Sequence, residues 1–470
     1  MPRFSIALTV LFFCVSYTWL AGAEPQSPAK IKLLSPVGGE SWSVDSTHRI
    51  RWTPASDAGD RTVRLDYSVD GGGTWETITD AAADNGDFLW QIPNEISSRC
   101  VVRARVNGAR EDVAVSQKFA IIPSQKVGGY TWENVTTAAP YAPRDGAGGL
   151  VYAGKMWLIG GWNPPDTEFF PRACNNEVWN SEDGADWTLV KPNSFIDETF
   201  DRRSDWEGRH SAGYVVHRGK MWIVGGDVNQ GHYQNDVWYS TDGVNWTAAT
   251  HEVPWGPRNL HYTVAFKDRI WVMGGQTNPD FGPAEERFYN DVWCSVDGAN
   301  WTEVSGRDPL WSSDRDSPEI AGPPHGMISG SVVFQDRIWI MGGGTYDTPG
   351  FPGWENRLNY NDVWSTDDGV NWKQHTASAP WHPRQYHSVA AFDGRIWVME
   401  GWHQDSGNRN DVWYSADGVN WYEVPDTPWP ERHASTVYVY KDALWMVAGN
   451  SMDWEVWKLP AAATNGGKPD

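Results

Sequence analysis

DVWYSTDGVNW, running from Asp236 to Trp246, is a short alternating segment with Trp238 on one side, then an Asp-Gly pair, then a second tryptophan that begins another extended run. Gly accepts the positive φ of a tight turn and an Asp side chain can hydrogen-bond its own backbone there, so the segment reads as a β-hairpin. The same pattern returns as EVWNSEDGADW (Glu177 to Trp187), DVWCSVDGANW (Asp291 to Trp301), DVWSTDDGVNW (Asp362 to Trp372) and DVWYSADGVNW (Asp411 to Trp421). A recurring unit of constant internal length marks a repeat architecture, and the hairpin is its ruler.

A second marker precedes each hairpin. It is a strand ending in a glycine doublet: KMWLIGG (Lys155 to Gly161), KMWIVGG (Lys220 to Gly226), RIWVMGG (Arg269 to Gly275) and RIWIMGG (Arg337 to Gly343). Two copies depart from it, with Glu400 in RIWVMEG (Arg395 to Gly401) and Ala448 in ALWMVAG (Ala443 to Gly449) where the first glycine belongs. An inward strand such as His210 to Gly219 or His387 to Gly394 leads into each marker. One unit is therefore four antiparallel strands, which cannot bury both faces alone, so six units are expected to stack around an axis as propeller blades. The sixth stops one strand short at EVWKLP (Glu455 to Pro460), while YTWENVT (Tyr130 to Thr136) is an orphan outer strand at the other end. The two are predicted to pair and close the ring.

Composition agrees with this reading. The chain has 470 residues with 32 Trp and 47 Gly, a usage that points to many aromatic strands separated by turns. Residues 1–23 combine Arg3, an apolar run from Phe4 to Leu20 and the small-residue ending Ala21-Gly22-Ala23, the pattern of a secretory signal peptide. No later stretch is apolar enough to span a bilayer, so a monomeric exported protein is expected, secreted or periplasmic, without membrane insertion. A net charge of −22 excludes a nucleic-acid partner, which would demand a basic face. After loss of Cys14, the remaining Cys100, Cys174 and Cys294 form neither a disulfide framework nor a metal-spaced set, and no cofactor is implied.

Residues 24–122 read as a separate β-sandwich with seven strands between close turn signals such as Pro36-Val37-Gly38-Gly39 and Asp70-Gly71-Gly72-Gly73. The runs SPVGGESWSVDSTHRIRW, YSVDGGGTW and FLWQIP resemble the immunoglobulin-like modules at the front of many exported proteins, which serve as spacers or adhesive appendages. Residues 123–129 read as a linker and 461–470 as a flexible tail.

Over residues 130–460, the succession of inward strand, glycine doublet, variable loop and aromatic hairpin resembles the Kelch repeat, which implies an all-β, six-bladed propeller. The hairpin places Trp before the turn, where Kelch repeats often carry Tyr. Its SxDGxxW turn resembles a shortened sialidase-type Asp box, which in that family is a structural hairpin remote from the chemistry. Copper oxidases of the galactose-oxidase type share Kelch blades, but no C-terminal metal-ligand module follows here.

In such a ring the inward strands begin, and the loops after the glycine doublets emerge, at one face. That face carries long loops at 162–175, 191–208, 276–289, 305–324 and 344–360, and long loops on a rigid scaffold carry function more often than short turns do. A further motif stands at the start of the inward strands: PYAPRDG, EGRH, PWGPRNLH, PWHPRQYH and PWPERH, with GPPHGMIS in the fourth unit. It is expected to bring Arg144, Arg209, Arg258, Arg384 and Arg432 to the channel mouth with His210, His261, His325, His387 and His433. The arginines would serve a carboxylate or polar sugar group, and Trp255, Trp381 and Trp429 would offer stacking faces. The competing reading makes each Arg and His a structural requirement of the repeat. Residues that break the repeat are sharper candidates: Glu400, followed by Trp402 and His403, is the expected acid or base if there is catalysis, or else the partner of Arg384 or Arg432 in a salt bridge.

Nothing in the sequence requires an enzyme. The leading expectation is an exported recognition protein whose loop face binds a glycan or an extracellular protein. The first alternative is a sugar mutarotase or epimerase acting on an acidic sugar such as sialic acid, an activity known among exported six-bladed Kelch proteins; the second is a purely adhesive scaffold.

Overall fold

A computed structural model of the chain describes residues 30–36, 38–44, 46–54, 61–109, 112–124, 129–163, 173–227, 232–277, 287–289, 291–305, 330–346, 357–403 and 406–462. The proposed signal peptide, His325 and most of four of the long loops lie outside these residues. Among the described residues there is no helix, and thus none long and apolar enough to cross a membrane.

Six four-stranded antiparallel sheets form the propeller. Blade 1 runs through Gly148–Tyr152, Lys155–Ile159, Val178–Ser181 and Trp187–Lys191, and blade 2 through Gly213–His217, Lys220–Asp227, Tyr233–Ser240 and Thr247–Thr250. Blades 3, 4 and 5 begin at Tyr262–Phe266, Ser331–Phe334 and Ser388–Phe392 and repeat that order. Blade 6 has only Thr436–Tyr440, Ala443–Val447 and Val456–Pro460 from its own end of the chain. Its fourth strand is Glu133–Thr136, paired antiparallel with Glu133 opposite Lys458 and Asn134 opposite Trp457. The inward strands touch in sequence around the ring, and that of blade 6 returns to that of blade 1.

The propeller has no single core. Its apolar side chains collect in six clusters, each shared by two adjacent blades, as where Leu150, Trp157 and Ile159 of blade 1 meet Met221, Ile223 and Trp238 of blade 2. This is why second strands such as Lys155–Ile159 are buried on both faces rather than alternating. The second hairpin tryptophan joins the seam: Trp246 is 8% exposed and meets Trp206 edge-on at 5.7 Å. Trp301 and Trp372 are only half-buried.

The glycine of the hairpin turn has a role beyond its turn. A Cβ on Gly243 (φ 75°) would lie 2.3 Å from the Trp157 ring of the preceding blade, and Gly184, Gly298, Gly369 and Gly418 sit equally close to Trp445, Trp222, Trp271 and Trp339. The turn is therefore an inter-blade contact as well as a reversal of the chain.

The N-terminal module is a β-sandwich. One sheet holds Leu33–Ser35, Thr47–Trp52 and Asp87–Gln91; the other holds Ser41–Ser43, Phe119–Ile122, Ser97–Val106, Thr62–Ser68 and Glu76–Ala83, with Val113–Val115 on its flank. Ile50, Trp52 and Trp90 from the first sheet pack on Val63, Leu65, Val102 and Ile121 from the second. The strands Ser41–Ser43 and Val113–Val115 add to the seven expected, each only three residues long and thus without a readable alternation. Cys100, Cys174 and Cys294 are free and buried.

Candidate functional site

The five repeated arginines do not stand at the surface. Arg144, Arg209, Arg258, Arg384 and Arg432 are each 0% exposed. Each reaches the acid that heads the third strand of its own blade: Arg144 to Glu177 at 2.7 Å, Arg209 to Asp236 at 2.5 Å, Arg258 to Asp291 at 2.5 Å, Arg384 to Asp411 at 2.6 Å and Arg432 to Glu455 at 3.3 Å, with Asp453 closer at 2.8 Å. The acid also accepts the indole N–H of the tryptophan two residues on, as Asp236 does from Trp238 at 2.8 Å, because positions i and i+2 share a strand face. Nη1 of Arg144, Arg209 and Arg258 further donates to the carbonyl of the first glycine of its doublet. Burial favours the neutral acid, yet the guanidinium outweighs it, so the Asp236 and Asp411 carboxyls stay below their ordinary range. Arginines held this way brace the blade and present no donor to a ligand, which corrects the expectation of a basic mouth.

Trp255, Trp381 and Trp429 are also withdrawn. They are buried and meet Trp301, Trp421 and Trp132 edge-on at 5.6, 5.8 and 4.3 Å, so they offer no stacking face. The histidines divide into two classes by their offset from the arginine. His261 and His387 stand three residues after it and are buried in the blade seams, where their Nε2 atoms lie 3.1 and 2.9 Å from the carbonyls of Val224 and Met341. Burial, reinforced by Arg258, brings His261 down to about 3. His210 and His433 stand one residue after the arginine and face the channel mouth.

Glu400 is fully buried at φ 52°, in the left-handed region where the other blades have Gly160, Gly225, Gly274 and Gly342 at 56–64° and Ala448 at 58°. Its carboxylate accepts from Ser388 Oγ at 2.6 Å, Ser435 Oγ at 2.5 Å and Ser435 N at 2.9 Å, and it is not the salt-bridge partner of Arg384 or Arg432. Burial raises its pKa, with those hydrogen bonds opposing. The substitution is volumetrically matched. A Cβ on Gly225 or Gly342 would lie 3.1 Å from Cε1 of His261 or His387, whereas the residue facing Glu400 is the small Ser435. Glutamate thus fills the space that histidine fills at other seams, and it does not line the mouth.

In blades 1, 2, 3, 5 and 6 the residue after the arginine and the one after the doublet pair across the blade's inner edge, and most of these residues line the mouth. These pairs are Asp145 with Trp162, His210 with Asp227, Asn259 with Gln276, and Gln385 with Trp402. In blade 6, His433 and Asn450 take the same positions, joined by the Asn450 N–H to His433 carbonyl bond. Next along the chain come Gly146, Ser211, Leu260, Tyr386 and Ala434, all at φ between 52° and 57°. Their backbones form a girdle: Ala434 N–H donates to Tyr386, Gly146 to Ala434, Ser211 to Gly146 and Leu260 to Ser211, at 2.8–3.2 Å. Four non-glycine residues held in this conformation store strain of the kind that clusters at binding sites.

Above the girdle lies a cavity of about 390 Å³. Trp402, Tyr386 and His433 form one wall, with ring centroids 6.2 and 5.3 Å from Tyr386. Trp162 and His210, nearly parallel at 5.9 Å, form another. Asp145, Asp227, Asn259 and Gln276 supply the polar groups, and the amide oxygens of Asn259 and Gln276 have no hydrogen-bond partner among the described residues. Burial pushes the Asp145 carboxyl up to about 6, His210 partly opposing. Below the girdle a smaller space of about 160 Å³ is lined by Ser388 and Ser435, the partners of Glu400.

No protein-family model matches the chain, and no curated protein matches it. Among solved structures, one described as "Structure of YjhT" is similar at 12% identity and a TM-score of 0.47, over 68% of this chain and 95% of that one.

Of the described residues singled out from sequence, Trp402 and the two histidines His210 and His433 line the mouth cavity and the others do not. His403 turns away, its ring 4.3 Å from that of His382, where the propeller meets the sandwich. Asp145, Trp162, Asp227, Asn259, Gln276 and Tyr386 had one readable signal: they occupy three positions that vary from blade to blade inside an otherwise constant repeat.

Proposed function

We propose that the protein is an exported recognition protein that binds the end of a saccharide in the mouth of the propeller channel. The observation that carries this reading is the joint presence, in one concave site, of aromatic faces (Trp162, Tyr386, Trp402) and buried planar acceptors without partners among the described residues (Asn259, Gln276). Sugar rings present apolar C–H faces and hydroxyl donors, and this combination matches both. A leftover buried acceptor costs about 1–3 kcal/mol, which a ligand hydroxyl recovers. Export rests on the N-terminal segment, and the sandwich would act as a spacer.

The experiment is a glycan array followed by calorimetry on the full chain, with Trp402→Ala and Asn259→Ala as variants. Retained binding in both variants would move the site elsewhere; silence on the array would turn attention to a protein partner. A second reading, a sugar-converting enzyme, draws support from Asp145, whose carboxyl near 6 stands beside His210 as a proton donor and acceptor would. Anomer equilibration followed by NMR, lost in Asp145→Asn, would favour it.

A further inference from the structure

Resting on the saccharide reading, we propose that the mouth cavity takes an amine-bearing sugar, whose ammonium group is held by Asp145 with Asp227 beside it. The charged and polar groups that reach the cavity are unbalanced. Two carboxylates and two amide oxygens line it, and among the described residues neither Lys nor Arg does. Arg144 and Arg209, which immediately precede Asp145 and His210, are buried and each ion-paired within its own blade.

Asp145 is the decisive group. It is 6% exposed, and no described residue hydrogen-bonds its side chain. The group acting on it is His210 of blade 2, and the buried Cys174 thiol of blade 1 stands close to both Asp145 and Asp227; neither is a fixed positive charge. A buried carboxylate without a counter-charge is costly unless it neutralises or meets a cation, and its raised pKa expresses that cost. An acidic sugar would place a like charge against it. A neutral sugar would satisfy Asn259 and Gln276 but leave the carboxylate uncompensated. An amino sugar satisfies both, and the chain's net charge of −22 draws cations toward the mouth.

The test is calorimetry on the full chain at neutral pH with glucosamine, glucose, N-acetylglucosamine and putrescine. A charge-assisted hydrogen bond gives glucosamine a preference of about ten-fold or more over the two uncharged sugars. That preference is expected to collapse in Asp145→Asn and, in the unaltered protein, to shrink at pH 5, where Asp145 is protonated. Equal binding of the three sugars, or a preference for the acetylated one, would overturn the amine assignment while leaving the saccharide reading standing. Putrescine binding as tightly as glucosamine would overturn the sugar part of it. Failure of all four ligands together with a silent glycan array would remove the saccharide reading itself.

Discussion

Replacing Trp132 by alanine tests ring closure at its weakest point. Trp132 lies next to Glu133–Thr136, the strand that completes blade 6, and is 8% exposed. A tryptophan buries about 150–250 Å², so the burial is worth roughly 4–6 kcal/mol gross at about 25 cal/mol per Å². Its indole N–H has no partner among the described residues, so no hydrogen bond to them is lost. The edge-on contact with Trp429 at 4.3 Å adds about 0.5–1.5 kcal/mol. Partial relaxation of the cavity brings the expected loss to about 3–5 kcal/mol. Urea unfolding of the full chain, followed by far-UV circular dichroism, measures it. Trp454→Ala is the control, because Trp454 is 48% exposed in the same blade and its loss should cost under about 1 kcal/mol. Equal shifts for the two variants would show that the N-terminal strand does not clamp the ring.

Gly243→Ala and Gly219→Ala both place a side chain at positive φ, but only the first meets the neighbouring Trp157 ring; the expected losses are about 3 kcal/mol against about 1, read from thermal melts. Arg209→Leu leaves Asp236 buried without its partner and should cost about 3–5 kcal/mol, most of it recovered in the double variant Arg209→Leu/Asp236→Leu. Glu400→Gln should leave mouth binding within about two-fold, since the carboxylate lies behind the serines. The raised Glu400 pKa also fixes a sign. Its stabilising contribution is full below the ordinary value of 4.5 and is lost as pH rises through the higher folded value, so wild type should lose ground to Glu400→Gln as the pH is raised above 4.5 in melts.

The fold was legible because its determinants are local. DVWYSTDGVNW carries its turn, its register and its buried tryptophan within one segment, and an incomplete last repeat announces the partner of Tyr130–Thr136. The pairing of Arg with the acid of the next-but-one strand was half legible: each of Arg144, Arg209, Arg258, Arg384 and Arg432 recurs with an acid two residues before a tryptophan. Their placement was not, because a guanidinium at the start of a strand can point to solvent or into its own blade, and only packing decides. The histidines were misgrouped, since His210 and His261 look alike in sequence while an offset of two residues carries one to the mouth and the other to a seam. Glu400 met serines from its own and the adjacent blade, a contact with no sequence signature at 12 and 35 residues' separation.

The last consequence concerns the order in which the chain is made. Glu133 is synthesised long before Lys458, yet the two must pair before blade 6 is whole. Blades 1 to 5 are each assembled from neighbouring hairpins and can form as they leave the ribosome, but the annulus cannot be clasped until Val456–Pro460 has been made. Until then the nascent protein is an open arc with two unsatisfied sheet faces. Loss of the strand Val456–Pro460 alone would leave five complete blades and deprive Glu133–Thr136 of its partner, so the clasp of the ring depends on a strand made late.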